Sequence, residues 1–287
     1  AAPLLLPYAA VKAASVSMVK SHAREIARLG IRAIVVSHGV VIFPGGSWDE
    51  ARQEAGKLCH AIVRENPFRR LGEPEEIAEL KARVGDGNEY LKIGPIKIFA
   101  DGGFTGPAAF TKEPYLNQGD YRGYLNMPEE ELVSLINEVH NAGWQMGIHA
   151  IGDAAIELVV DTLADALTRN PREDHRSYLN HFSMSPSDAT MEKMAQHGIH
   201  ITQPPNFTYT LEGRYVAYLD GWRLEQNNPV RSPMDHGIHV AISSDILPIG
   251  PLVGIYAAVT RKGMSGRVFG ADEAITIEEA IQGYTIK

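Results

Sequence analysis

The feature that most constrains this chain is a repeated order. A short apolar run ends in a polar residue, a turn of a few residues follows, and an amphipathic helical stretch comes next. The apolar runs are Leu91–Phe99, Trp144–His149, Arg176–His181, Ile199–Gln203 and Ile238–Ser244. Helical spacing is carried by Pro128–Ala142, Ala154–Leu167, Pro186–His197, Leu252–Thr260 and Thr276–Tyr284, the last opened by a Thr276–Glu279 capping box. Gly152-Asp153 reads as a turn with an aspartate N-cap. Upstream, the pattern predicts a helix over 15–29, a strand over 31–36, and helices opening at Ser47 and Pro74, with an ambiguous strand near Cys59–Arg64. Strand-then-helix alternation with short turns predicts a parallel sheet. An eight-stranded α/β barrel accounts for the number of strands if an element is missing; an open doubly wound sheet is the rival. No glycine-rich phosphate loop follows any strand, which counts against a nucleotide-binding sheet.

Composition narrows the partners. With 287 residues, 44% of them hydrophobic, the chain can bury a sizeable core. A net charge of −8 without any basic stripe argues against a nucleic-acid partner. A lone Cys59 excludes an intramolecular disulfide framework and a cysteine zinc site. No stretch is apolar and long enough for a membrane helix, and a reducing, cytoplasmic setting is the default expectation. Two stretches without period, 102–127 and 204–230, predict long loops that cover a site; the second is rich in tyrosine and tryptophan.

The polar strand ends are the chemical signal. In parallel α/β folds, side chains at the carboxyl ends of strands are where chemistry collects. Here they are Lys97 and Asp101, His149, His181 and Asp245. Lys97, Phe99 and Asp101 alternate with Ile96, Ile98 and Ala100, which puts a lysine inside an apolar strand, where an unpaired ammonium is costly. Each has a plainer account: a surface lysine on an edge strand, a hydrogen-bonded barrel histidine, a turn-capping aspartate. A hydrolytic metal site offers one account for all of them, since it needs neutral imidazoles, a carboxylate and an open position for water. The His-x-x-His pairs His197/His200 and His236/His239 are broken by glycine and read as structural, at helix C-termini.

These strand ends resemble the amidohydrolase superfamily, of the amidohydrolase-3 type that includes N-substituted formamide deformylases. The resemblance lies in Ile96-Lys97-Ile98-Phe99-Ala100-Asp101-Gly102, Glu113-Pro114-Tyr115, His149-Ala150-Ile151-Gly152-Asp153, Asn180-His181-Phe182, Gln203-Pro204, Ser244-Asp245 and Ala257-Ala258-Val259-Thr260-Arg261. The matches run in order from about residue 90 to 285. The resemblance implies a TIM-like (β/α)8 barrel holding one or two divalent metals, zinc foremost. It makes Lys97 a carboxylated metal ligand, His149 and His181 ligands, and Asp245 both ligand and proton shuttle. Asp101, Tyr115, Gln203 and Arg261 are its expected substrate contacts. Three departures stand out: no His-x-His anywhere among eleven histidines, Asn180 where the family has glutamate, and no segment for the family's first strand or its β-sandwich. The expectation is thus a single, incomplete barrel domain over residues 1–287.

The implied activity is metal-assisted hydrolysis of a C–N bond in an amide, formamide or cyclic amide. A small-molecule substrate and a homo-oligomer are the expected partners. Ester, lactone or phosphotriester hydrolysis on the same site is an alternative, and a barrel that has lost its metal and its catalysis is another.

Overall fold

The computed structural model describes residues 94–245 and 250–285. They fall within one compact unit that starts at Gly94. The elements expected before Gly94, including the helix over 15–29 and the strand over 31–36, lie outside the described residues.

Five strands form one parallel sheet in chain order. They are β1 (Ile96–Phe99), β2 (Met146–Ala150), β3 (Tyr178–His181), β4 (His200–Gln203) and β5 (Val240–Ile242). Helices α1 (Glu129–Asn141), α2 (Asp153–Arg169) and α3 (Asp188–Gln196) connect the first four strands. The parallel order is the one the alternating pattern predicts. The expected eight-stranded closure is not seen: the described residues contain these five strands.

The sheet has two unlike faces because its residues alternate. Ile98, Ala100, Met146, Ile148, Leu179, Ile201 and Val240 are buried against Leu132 and Ile136 of α1, Ile156, Val159 and Leu163 of α2, and Met191 and Met194 of α3. Each such aliphatic side chain contributes about 1.5–3 kcal/mol on leaving water. The other face carries Phe99, His149, Asn180, Thr202 and Ala241, which pair in register across all five strands. Lys97 lies on this second face, two register pairs before Phe99.

A second apolar cluster sits among the loops that follow the strands. It contains Phe104, Tyr115, Ile151, Met184, Phe207, Tyr215, Leu219 and Phe269. The loop after β1 begins with an antiparallel bridge from Asp101 to Leu125 and has no helix of its own. The stretch 204–230, expected to be loop, instead holds α4 (Asn206–Thr210), α5 (Glu212–Tyr218) and α6 (Gly221–Glu225). Helices of five to seven residues are too short to show a 3.6-residue period, so the sequence reads as irregular.

Helix α7 (Arg231–Asp235) leads into β5, and α8 (Pro251–Thr260) and α9 (Ile277–Thr285) complete the described chain. The capping box of α9 is formed: Thr276 N–H donates to Glu279 Oε2 at 2.8 Å and Glu279 N–H to Thr276 Oγ1 at 3.2 Å. The expected aspartate cap of α2 is not. Gly152 occupies the cap position, and Asp153 Oδ1 accepts from Lys112 N–H and Ala154 N–H. A loop amide from forty residues away has taken the capping oxygen.

Candidate active site

The carboxyl ends of β2 and β3 bring two imidazoles together. His149 and His181 stand with ring centroids 4.6 Å apart, nearly edge to face. Register alone would not put them there. His181 pairs with Ala150, whose side chain belongs to the helix-packed face. A φ of 78° at His181 and 48° at Phe182 turns the chain as the strand ends. Two consecutive residues with side chains in the left-handed region cost on the order of 1–3 kcal/mol each. Phe182 is fully buried and its N–H donates to Ala150 O, which holds the turn in place.

Lys97 and Asp245 approach the same pair. The Lys97 ammonium donates to Asn180 Oδ1, and Asn180 Nδ2 donates to Thr202 Oγ1 at 2.6 Å. Asn180 therefore orients the lysine and is itself oriented by the next strand. Asp245 Oδ2 lies 3.9 Å from His181 Nδ1. Burial lowers the Lys97 pKa to about 8, partly countered by the Asp245 carboxylate. Burial also lowers both histidines, His181 to about 3; the charge of Lys97 adds to the effect at both, and that of His149 adds to it at His181. Both rings are thus neutral near pH 7, the form that can donate a lone pair to a metal. His181 Nδ1 is buried without a hydrogen-bond partner, whereas His149 Nε2 faces Gly102 O at 3.2 Å.

Apolar rings flank the polar groups. Phe99 is 52% exposed, with its ring 5.2 Å from that of His149 and 5.1 Å from Lys97 Nζ. Phe207 stacks on His181 at 5.7 Å, 11° from parallel. Sequence reasoning gave no role to Phe99, Asn180 or Phe207. The signal for Phe99 was available, since alternation places it on the face of Lys97.

The four expected substrate contacts are elsewhere engaged. Asp101 is 1% exposed and accepts from three backbone amides, Phe110, Ile151 and Gly152, at 2.9–3.0 Å. Burial pushes its carboxyl up to about 7 against the pull of those donors. It also lies 3.7 Å from His149 Nε2, so it supports the site from behind. Tyr115 is buried and donates its hydroxyl to Ala109 O at 2.6 Å. Gln203 is fully buried and donates to Pro229 O at 3.0 Å. Arg261 is fully buried, with its guanidinium on the carbonyls of Phe269, Asn228 and Asn227. These side chains brace loops in this structure.

Residues 5–287 match the sequence profile of the Amidohydrolase family. The chain belongs to that family. Among amidohydrolase relatives, the YtcJ protein of Bacillus subtilis (strain 168) is 29% identical over 256 residues, 86% of this chain and 46% of YtcJ. The N-substituted formamide deformylase of Arthrobacter pascens is 28% identical over 215 residues, 71% of this chain and 38% of that enzyme. This amidohydrolase chain therefore spans less than half the length of either relative. A crystal structure of an uncharacterized metal-dependent hydrolase from Pyrococcus horikoshii OT3 superposes with a TM-score of 0.64 at 22% identity, covering 91% of this chain and 52% of that one. That likeness shows the fold. A shorter stretch of likeness, 45% identical over 71 residues and 25% of this chain, is to acetoacetyl-CoA reductase of a Synechocystis strain, an enzyme of another class by name.

Proposed function

We propose that this chain is the core of a metal-dependent hydrolase that cleaves a C–N bond in an amide, formamide or cyclic amide. The observation that carries the reading is the His149–His181 pair: two rings 4.6 Å apart, held neutral by burial, one with a buried nitrogen that has no partner. An orphaned imidazole nitrogen in a strained strand end fits a divalent cation, which would complete its bonding. His149, His181, Lys97 and Asp245 are the residues that would hold it, zinc being the first candidate, with Lys97 in carboxylated form because an ammonium has no lone pair to give. When bound, such an ion acidifies a water and polarises a carbonyl.

The remaining work falls to the chain's own groups. Asp245, exposed beside His181, takes a proton from the attacking water and returns it to the leaving nitrogen. Asn180 fixes Lys97 in reach of the site through its amide oxygen. Phe99 and Phe207 limit water around the rings and give an apolar substituent a surface to rest on. The deformylase activity in the name of the Arthrobacter relative supports a formamide or related amide as substrate class.

A second reading has one observation in its favour. Among the described residues, no three histidine, cysteine, aspartate or glutamate side chains gather closely enough to hold a metal by themselves. On that reading the barrel has lost its metal and its catalysis. Bound metal and amide hydrolysis, measured together on three variants, separate the two. Asp245→Asn should keep the fold and lower turnover by on the order of a hundred- to ten-thousandfold. His149→Ala and His181→Ala should lose metal as well as rate. Full metal and unchanged rate in all three would leave the catalytic reading without support.

A further inference from the structure

The polar face of the sheet carries a second histidine pair, away from the site just described. His200 opens β4, and His239 immediately precedes β5. Ile201 N–H donates to His239 O at 3.0 Å, and Ile201 pairs with Val240, so the two histidines are neighbours by register. Their ring centroids stand 5.3 Å apart at 69°. His200 pairs with Tyr178, two residues before the Asn180–Thr202 pair. At about 3.3 Å per strand residue, this pair lies roughly 7 Å nearer the amino ends than the layer of His149.

We propose that His200 and His239 form a second metal site, one that takes a borderline d-block cation such as Cu²⁺, Ni²⁺ or Zn²⁺. Three observations support it. First, metal–nitrogen bonds of about 2.0–2.1 Å with a near-tetrahedral angle put two imidazole centroids roughly 5 Å apart, which the observed 5.3 Å matches. Second, among the described residues neither ring has a hydrogen-bond partner, so both have nitrogens to offer. His175 nearby is different: its Nε2 faces His197 O at 2.9 Å and its Nδ1 accepts from Ser177 N–H at 3.0 Å, so it is no ligand. Third, an ion has a way in. His200 lines a cavity of about 490 Å³, and His239 is exposed. Burial and the neighbouring rings of His239 and His175 lower the proton affinity of His200, which favours the neutral, ligating form. Two protein nitrogens with water in the remaining positions suit cations ranked high in affinity for imidazole, and not Mg²⁺ or Ca²⁺.

The test uses the full chain with His149→Ala and His181→Ala both present, so that the first site is silent, after removal of metal with a chelator. Cu²⁺ is then titrated, with calorimetry for affinity and electron paramagnetic resonance for nitrogen coupling. The expected result is one Cu²⁺ per chain with two nitrogen ligands. His239→Gln, at an exposed position, and His200→Gln should each weaken binding by at least roughly tenfold, as losing a metal's protein contacts does. His197→Gln, on the same cavity wall, should leave it unchanged. Circular dichroism confirms that each variant is folded. No Cu²⁺ uptake in the starting variant, or equal uptake after both the His200 and His239 changes, would overturn the proposal. Because the first site is absent throughout, neither result bears on the hydrolytic reading.

Discussion

Arg261 carries a positive charge into the interior and is matched there by oxygen dipoles, three backbone carbonyls from two distant segments. Burial lowers its pKa to about 10, so it still stays charged at neutral pH. Its own backbone adopts a φ of 54°, which turns the chain at the end of α8. Removing the guanidinium leaves buried acceptors without donors, at about 1–3 kcal/mol for each one stranded. Arg261→Met should therefore lower unfolding stability by on the order of 3 kcal/mol or more in urea denaturation. Arg261→Lys should recover only part of it, because one ammonium cannot span a planar fork of carbonyls.

At the scale of elements, the loop after β1 is tied to the turn after β2 at one tight contact. A Cβ on Gly152 would stand 1.9 Å from Phe110 O, where only glycine lets the two backbones approach. Asp101 bonds both Phe110 N–H and Gly152 N–H at the same place. Gly152→Ala should push the loop off the strand end, with a stability loss of about 1–3 kcal/mol as in overpacked cores. Limited proteolysis within residues 102–127 should accelerate in the same variant. Gly106→Ala, in the same loop with open space around it, is the control and should change neither.

Loop contacts of this kind mark where the sequence stops being legible. Strand order and the two unlike faces of β1 and β2 follow from alternation, which is local. The same holds for the capping box at Thr276, whose partners are three residues apart. Gln203, Arg261 and Tyr115 are substrate contacts only by what the family resemblance implies. Their partners within the chain include carbonyls 26 to 34 residues away for Gln203 and Arg261, and no local pattern encodes those. The candidate site was legible to the extent that chemistry names it: two histidines, a lysine and an aspartate at strand ends. The turn that brings His181 to His149 was not, since positive φ at a histidine and a phenylalanine has no sequence signature.

For the molecule as a whole, acid is a sensitive probe of how the last helix is held. Glu279 belongs to the capping box of α9 and also accepts from Arg231 at 2.5 Å, joining α9 to α7. The Arg231 guanidinium and the Thr276 N–H hold its carboxyl down, from 4.5 to about 2. A depressed carboxylate contributes stability above its unfolded pKa and loses it as the pH falls through the folded value. Thermal stability should thus decline between about pH 4.5 and 2, and Glu279→Gln should show a shallower decline over that window. A wild-type and variant pair with parallel curves from pH 5 to pH 2 would show that the ion pair adds nothing.

The left-handed turn at His181 and Phe182 has a consequence for anyone who would change what the site accepts. His181 is aimed by the residue after it, and that residue is anchored in the helix-packed core. Phe182 would never meet a ligand, yet trading it for a smaller side chain loosens the ring that would. Libraries that vary only exposed positions will miss it, and those that treat every buried position as neutral scaffold will damage it. Specificity and packing are written at neighbouring letters here, so one cannot drift without the other being retuned.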